Sequence, residues 1–347
     1  MSTTSGIALR NFFVKLFHWE YWPFGILQFP AMVYWLWLSL KARSLFFFTG
    51  SNPGIEYGGM MGESKFDVLR MVPPEVAART IRIEVPATAG YVMQQMAAAQ
   101  LAFPVIFKPD LGERGWMVKK IEKPDDVEVY LSQIRTPFLV QEFIDLPMEF
   151  GLFYVRHPDE ASGEITSLAG KEMLRVTGDG KTTLRQLILA NARARIQWKT
   201  LQHTFRETLD RIVPPAEKIE LVNIGNHCLG TKFLDRTDLI TPELVASFDR
   251  ISHHIEGFYY GRFDLRAASV DDLQKGRVKV MELNGVGAEP AHIYQPGYSF
   301  WEAVRVLLRH WRLIYRISMT NAQRGFRFPT WNEGVRMYHK MKEARRS

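Results

Sequence analysis

Gly261-Arg262-Phe263-Asp264-Leu265-Arg266 and Val280-Met281-Glu282-Leu283-Asn284-Gly285 decide how this chain folds. Each segment alternates polar and apolar residues, as a strand does, so its polar side chains share one face. Arg262, Asp264 and Arg266 line up on the first, and Glu282 and Asn284 on the second. Placed side by side, an Asp and a Glu-x-Asn offer three hard oxygen donors to one site. Mg²⁺ takes few protein oxygens and completes its octahedron with water and phosphate oxygens. The competing reading is two solvated strand faces joined by ion pairs, because isolated D-x-R and E-x-N patterns are common. The material upstream separates the two.

The chain has 347 residues, room for two or three domains. Hydrophobic residues make up 46% and charged residues 23%, an ordinary folded composition. A net charge of +7 and a pI near 9.4 suit an anionic partner. The single cysteine, Cys228, excludes an intramolecular disulfide and a Cys-rich zinc site.

Residues 1–50 hold four of the nine tryptophans and eight of the 23 phenylalanines. Between Tyr21 and Leu40 no residue is charged, and Arg10, Lys15, Lys41 and Arg43 flank the run. Twenty helical residues would reach ~30 Å, the thickness of a bilayer core. Pro23, Gly25, Gln28 and Pro30 argue against one straight helix. Trp and Tyr prefer the headgroup level, so an in-plane anchor on an anionic membrane surface is expected. The rival reading packs the segment on its own domain or on a second copy.

Residues 102–142 read as strand, loop, strand, helix, strand. Ala102–Phe107 is apolar and ends in Lys108-Pro109; the loop Asp110-Leu111-Gly112-Glu113-Arg114-Gly115 follows, then Trp116-Met117-Val118 as a strand. Pro124–Ser132 is helical, and Phe138–Val140 is a strand running into Gln141-Glu142-Phe143-Ile144. Glycines let a loop bring its N–H groups close to phosphates, and Lys108 at the strand end reaches the same place. Gln141 to Ile144 can serve as the hinge for an adenine base. Val176–Thr183 imitates a phosphate-binding loop, but that motif needs a glycine five residues before its Gly-Lys pair, and Arg175 stands there.

The order of these pieces resembles the ATP-grasp superfamily, whose members include carboxylate–amine ligases such as D-alanine–D-alanine ligase. The resemblance covers about residues 86–320, and Thr177–Ile188 is also similar to cyanophycin-synthetase-like members. It implies an α+β ATP-grasp fold in which two subdomains clasp ATP. Lys108 would then contact the α/β-phosphates beside the loop of Gly112 and Gly115. Gln141, Glu142 and Ile144 would form the adenine hinge, and Glu149 the ribose-binding acid. Lys171 would approach the terminal phosphates, and Arg262 would stabilise the charged intermediate. Asp264, Glu282 and Asn284 would hold Mg²⁺, two ions in the family pattern, with Mn²⁺ a substitute. The reaction implied is ATP-dependent joining of a carboxylate to an amine through an acylphosphate. Phosphoryl transfer on the same fold and a non-catalytic ATP-binding, membrane-associated protein are the alternatives. No nucleic-acid partner is expected.

The chain departs from that pattern at its start. The expected organisation is an aromatic segment (1–43), a reduced N-terminal α/β region (44–85), a central subdomain (86–148), a catalytic subdomain (149–320) and a basic tail (321–347). In the reduced region, Leu45–Phe48 reads as a buried strand, and the glycines around Gly58 and Gly59 as a cradle or plain turns. Gln186–Arg211 and Phe300–Tyr315 read as helical. His227, Thr231 and Lys232 are candidate substrate contacts, and Glu289 and His292 candidates for acceptor selection. A reducing cytoplasm, with contact to the inner membrane face, is the expected location.

Overall fold

The computed structural model describes residues 4–60, 62–112, 115–222 and 230–344. Eleven strands are present among them: β1 (Thr80–Ile83), β2 (Val105–Pro109), β3 (Lys119–Ile121), β4 (Phe138–Glu142), β5 (Met148–Val155), β6 (Glu164–Glu172), β7 (Arg175–Thr177), β8 (Lys218–Glu220), β9 (Lys232–Asp235), β10 (Tyr260–Ala267) and β11 (Val278–Asn284). They form an antiparallel sheet in the order β1-β4-β2-β3, a second in the order β11-β10-β5-β6-β9, and the small pair β7-β8. The protein is therefore α+β, with open sheets and an aromatic N-terminal helical cluster.

Apolar alternation places each sheet. Val105, Phe107, Phe138 and Val140 bury against Val92, Met96, Val127 and Tyr130 of the helices Ala89–Ala98 and Pro124–Gln133. In the larger sheet, Phe150, Leu152, Phe263 and Leu265 face Leu244, Phe248 and Ile251 of the helix Pro242–His253. The opposite face of that sheet is divided. The long helix Phe300–Gln323 covers Phe153 and Tyr260 with Ile314 and Ile317. Beyond its reach the same face carries polar side chains.

β10 and β11 pair as their alternation predicts, with Arg262 opposite Asn284 and Asp264 opposite Glu282. Elsewhere the chain departs from expectation. Trp116–Val118 is turn, and the strand starts at Lys119, because Gly115 (φ 75°) and Met117 (φ 54°) are left-handed and cannot extend. Leu45–Phe48 makes no strand. Phe47–Ser51 is a 3₁₀ turn with the Phe46 carbonyl accepting from Thr49 N (3.1 Å) and Oγ1 (2.8 Å). A short apolar run does not distinguish strand from buried helical turn by periodicity. Pro30 lies inside one helix, Phe24–Ala42, and the break falls at Pro23, its N-cap. The segment expected as a basic tail includes the end of the Phe300–Gln323 helix and a further helix, Trp331–Ala344.

The glycine-rich stretch after that 3₁₀ turn is stapled to the five-stranded sheet by Asn52. Its buried amide oxygen accepts from Tyr259 N and Tyr260 N, both at 3.0 Å, and its nitrogen donates to Gly58 O (3.0 Å) and Tyr260 O (2.7 Å). Gly58 and Gly59 then accept from Val286 N (3.0 Å) and Gly287 N (2.8 Å) of the loop after Asn284. A Cβ on Gly285 would stand 2.3 Å from Gly58 O, so the approach requires glycine there. Asn52→Ala strands buried N–H groups at the head of β10. We expect it to cost about 2–4 kcal/mol, read as a fall in the urea midpoint with unchanged slope.

Candidate active site

The polar face of the five-stranded sheet is built by register. Across β10, β5 and β6, Asp264 lies opposite Gly151 and Gly151 opposite Ala169, while Arg266 faces Glu149 and Glu149 faces Lys171. Gly151 leaves room at the centre: a Cβ there would stand 3.3 Å from Arg262 Cδ and 3.5 Å from Asp264 Oδ1. Lys171 Nζ lies over this gap, 2.9 Å from Glu149 Oε1 and 3.1 Å from Asp264 Oδ1. Arg262 donates to Asp264 Oδ2 through Nη2 (2.9 Å), and Asn284 Nδ2 donates to the same oxygen (3.0 Å). Arg266 grips Glu149 Oε2 with Nε (3.1 Å) and Nη2 (2.9 Å), and its Nη1 donates to Ile144 O (2.8 Å).

The smaller sheet contributes from the other side. Buried Lys108, on β2, donates to Gln141 Oε1 (3.0 Å) and to Met281 O of β11 (3.2 Å). Gln141 Nε2 donates to Met281 O (3.1 Å) and Thr80 Oγ1 (2.9 Å). The two sheets are thus joined one residue from Glu282. Glu282 accepts no hydrogen bond from any described residue, yet its charge acts on both Lys108 and Arg262.

Electrostatics follow from this packing. Burial alone would raise the Asp264 carboxyl, but Arg262 and Lys171 outweigh it and hold the pKa below the ordinary carboxylate value. Burial likewise opposes the charged forms of Glu149, Lys171 and Arg262, and their partners reverse it. Glu149 is lowered by Lys171 and Arg266; Lys171 and Arg262 are raised by the carboxylates beside them. Lys108 differs. Burial lowers its pKa, Lys65 adds to the shift, and Glu282 only partly offsets it.

The remaining expected residues are distributed as follows. Gly112 and Gly115 have positive φ (144° and 75°), and the Gly112 carbonyl accepts from the Lys65 ammonium; Glu113 and Arg114 between them lie outside the described residues. The Glu142 carboxylate is held by Arg79 through N (2.9 Å) and Nε (3.1 Å), and Glu142 N donates to Arg79 O (2.9 Å). His227 and Cys228 lie outside the described residues. Thr231 is buried, and Lys232 pairs with Glu172 at 3.1 Å. The Glu289 carboxylate takes hydrogen bonds from Gln28 and Tyr294, and its carbonyl accepts from Arg262 Nη1 (3.1 Å). His292 is buried with Nδ1 2.7 Å from Ser167 Oγ. The Lys181 loop is a capped turn, in which Asp179 accepts from Lys181 N (2.8 Å) and Thr182 N (2.7 Å).

Sequence reasoning assigned no role to Lys65, Gly151 or Arg266. Lys65 reaches the glycine loop because Asp110 accepts from Ser64 Oγ (2.9 Å) and Phe66 N (3.0 Å), stapling its short helix to the end of β2. The signal was present as Ser64-Lys65 after Gly62, but nothing local marks it as a neighbour of Lys108.

A divalent cation fits the donor set. Asp264, Glu282 and Asn284 are hard oxygen donors on adjacent strands; the Glu282 carboxylate accepts no hydrogen bond from a described residue, while the Asp264 oxygens are met by Lys171, Arg262 and Asn284. No group of three or more His, Cys, Asp or Glu among the described residues could hold a metal.

No protein-family model matches the chain, and no curated protein is similar to it. Solved structures similar to it include D-alanine–D-alanine ligase from Bacillus anthracis complexed with ATP, at 12% identity over 76% of this chain and 68% of that one, with a TM-score of 0.43. VanG D-Ala:D-Ser ligase from Enterococcus faecalis matches at 13% identity over 72% of this chain, with a TM-score of 0.41. A bifunctional glutathione synthetase from Pasteurella multocida matches at 14% identity over 73%, with a TM-score of 0.37. The chain spans 62% of the second and 38% of the third. No residue role follows from likenesses at this level.

Because the folded pKa of Asp264 is depressed, its ion pairs stabilise the fold above the unfolded carboxylate pKa of about 3.9 and lose that contribution as pH falls toward the folded value. Urea melts of the wild type and Asp264→Asn between pH 6 and 3 should therefore converge as pH falls. Parallel curves would show that Asp264 is not held ionised.

Proposed function

We propose that this protein is an ATP- and Mg²⁺-dependent ligase of the ATP-grasp type, joining a carboxylate to an amine in the cytoplasm. One observation carries the reading. Lys108 from one sheet and Lys171 and Arg262 from the other converge on Asp264 and Glu282, with the two sheets bonded at Met281. Buried cations and carboxylates drawn from separate sheets suit a polyphosphate lying between them.

On this reading the residues take the following roles. Lys108 and the loop of Gly112 and Gly115 hold the α/β-phosphates, with Lys65 beside them. Gln141, the backbone of Glu142, and Ile144 border the adenine, and Glu149 faces the ribose. Lys171 and Arg262 meet the γ-phosphate and the acceptor. Asp264, Glu282 and Asn284 would hold Mg²⁺, which would supply positive charge against the phosphates.

A substrate carboxylate oxygen attacks the γ-phosphorus, the bond to the bridging oxygen breaks, and ADP leaves with that electron pair. The amine nitrogen then attacks the acylphosphate carbonyl, phosphate departs, and the amine proton passes to solvent. Each step builds negative charge on oxygens that Arg262 and Lys171 are placed to meet. The glycine loop and the paired sheets fix the reactants, which supplies the orientation term.

A panel of carboxylates and amines, scored by ATP-dependent phosphate release and by mass of the product, tests the reading. A phosphorylated acceptor without phosphate release would move the protein to phosphoryl transfer, and no nucleotide binding at all would reject both. Glu282→Gln should fold normally, since its carboxylate accepts no hydrogen bond from a described residue, and should lose turnover by ~100-fold or more. Lys108→Ala should weaken nucleotide binding ~10–100-fold through a lost charge-assisted bond. Lys181→Ala should leave it unchanged.

A further inference from the structure

The first two helices, Thr4–Phe17 and Phe24–Ala42, expose an apolar surface that the other described residues leave uncovered. Phe13, Phe17, Phe29, Val33, Trp37 and Leu40 all face outward, Phe17 at 76% and Leu40 at 79% exposure. Contiguous exposure of large apolar side chains marks an interaction surface.

The inner side of this hairpin is already satisfied. Leu27 and Ala31 bury against Ile293, Val304 and Leu307, and Leu38 against Ile314 and Ile317. Polar ties fix its position. Glu20 and Arg193 form a buried ion pair at 2.6 Å, Trp19 Nε1 donates to Tyr298 O at 2.6 Å, and Arg195 Nε donates to Asn11 Oδ1 at 3.1 Å. A hairpin held this way has no second face of its own domain to turn to.

Charge identifies what covers it. Glu20 is the only acid in residues 1–50, and Arg193 consumes it. Phe29, Pro30, Val33, Tyr34 and Trp37 form with Leu308 an apolar groove of about 660 Å³. Arg305 and Arg312, three residues before and four after Leu308, lie on the same stripe of the long helix, exposed and paired with no carboxylate among the described residues. Lys41 stands over Trp37, 4.6 Å from the ring centroid. An isologous dimer through this face would set these cations against their own copies. An anionic lipid surface takes both the apolar face and its basic rim. No helix among the described residues is long and apolar enough to cross a membrane.

We propose that the outer face of the N-terminal helical hairpin, with Arg305 and Arg312 at its rim, seats in the plane of an anionic bilayer.

Sedimentation of the full chain with phosphatidylcholine vesicles carrying 0 or ~30% phosphatidylserine tests this, together with quenching of tryptophan fluorescence by lipids brominated on the acyl chain. The assay needs no nucleotide, so its outcome is independent of the ligase reading. We expect binding to the anionic vesicles, acyl-chain quenching, and only partial release by salt because the apolar contribution remains. Phe29→Ser with Leu40→Ser should lower the partition coefficient ~10-fold or more. Arg305→Glu with Arg312→Glu leaves the apolar face intact and should lower it ~10-fold on anionic vesicles only. Circular dichroism and urea midpoints matching the wild type establish that both variants fold. A wild-type chain left in the supernatant at low salt overturns the proposal. So does a stable dimer that ignores vesicles, or a Phe29→Ser, Leu40→Ser variant that binds as the wild type does.

Discussion

The ion-pair cluster around Asp264 is the constraint on which the rest of this architecture depends. A carboxylate 8% exposed at the centre of a sheet is tolerable only if its charge is met. Arg262, Lys171 and Asn284 meet it, and each comes from a different place: its own strand, a strand two places across the sheet, and the neighbouring strand. Removing any one leaves a buried charge or donor without its partner, so β10, β11 and β6 must keep their register for the site to exist. The cluster also sets what can approach. With both Asp264 oxygens met by Lys171, Arg262 or Asn284, Glu282 is the carboxylate of this cluster that accepts no hydrogen bond from a described residue.

Alternation along β10 and β11 was legible because one face of each strand packs on a helix and the other does not, which makes period two unmistakable. β2 and β4 were legible instead from their apolar runs, and the helix between them from its acidic start. Sequence pattern failed where geometry overrode composition. Met117 sits left-handed, and no propensity for strand in Trp116–Val118 competes with that. The phenylalanines at 46–48 are apolar on every side, so nothing in their pattern distinguishes a strand from a buried turn. Within the candidate site, Lys108, Lys171, Arg262, Asp264, Glu282 and Asn284 were legible from strand position and the order of motifs. Lys65 and Arg266 were not, because their partners Gly112 and Glu149 lie far off in sequence, and only packing brings them near. Gly151 was invisible for a related reason. Its value is the space that it leaves between Arg262 and Asp264.

The N-terminal hairpin is tied to this cluster through few contacts. Gln28 of the second helix donates to the Glu289 carboxylate, and the Glu289 carbonyl accepts from Arg262, which pairs with Asp264. The hairpin also buries Glu20 against Arg193, in the short helix Ala192–Ile196, while Arg193 Nη1 donates to Thr231 O at 3.4 Å beside the strand that carries Lys232. An element whose outer face is apolar therefore has its inner face in contact with the segments that carry Glu289 and Arg193. The aromatic helices and the Asn52 loop cover this end of the five-stranded sheet. A cover made largely of apolar side chains one helix deep cannot bury both of its faces. The face left over is the physical consequence of covering the sheet so thinly, and it is the face that we propose meets a lipid surface.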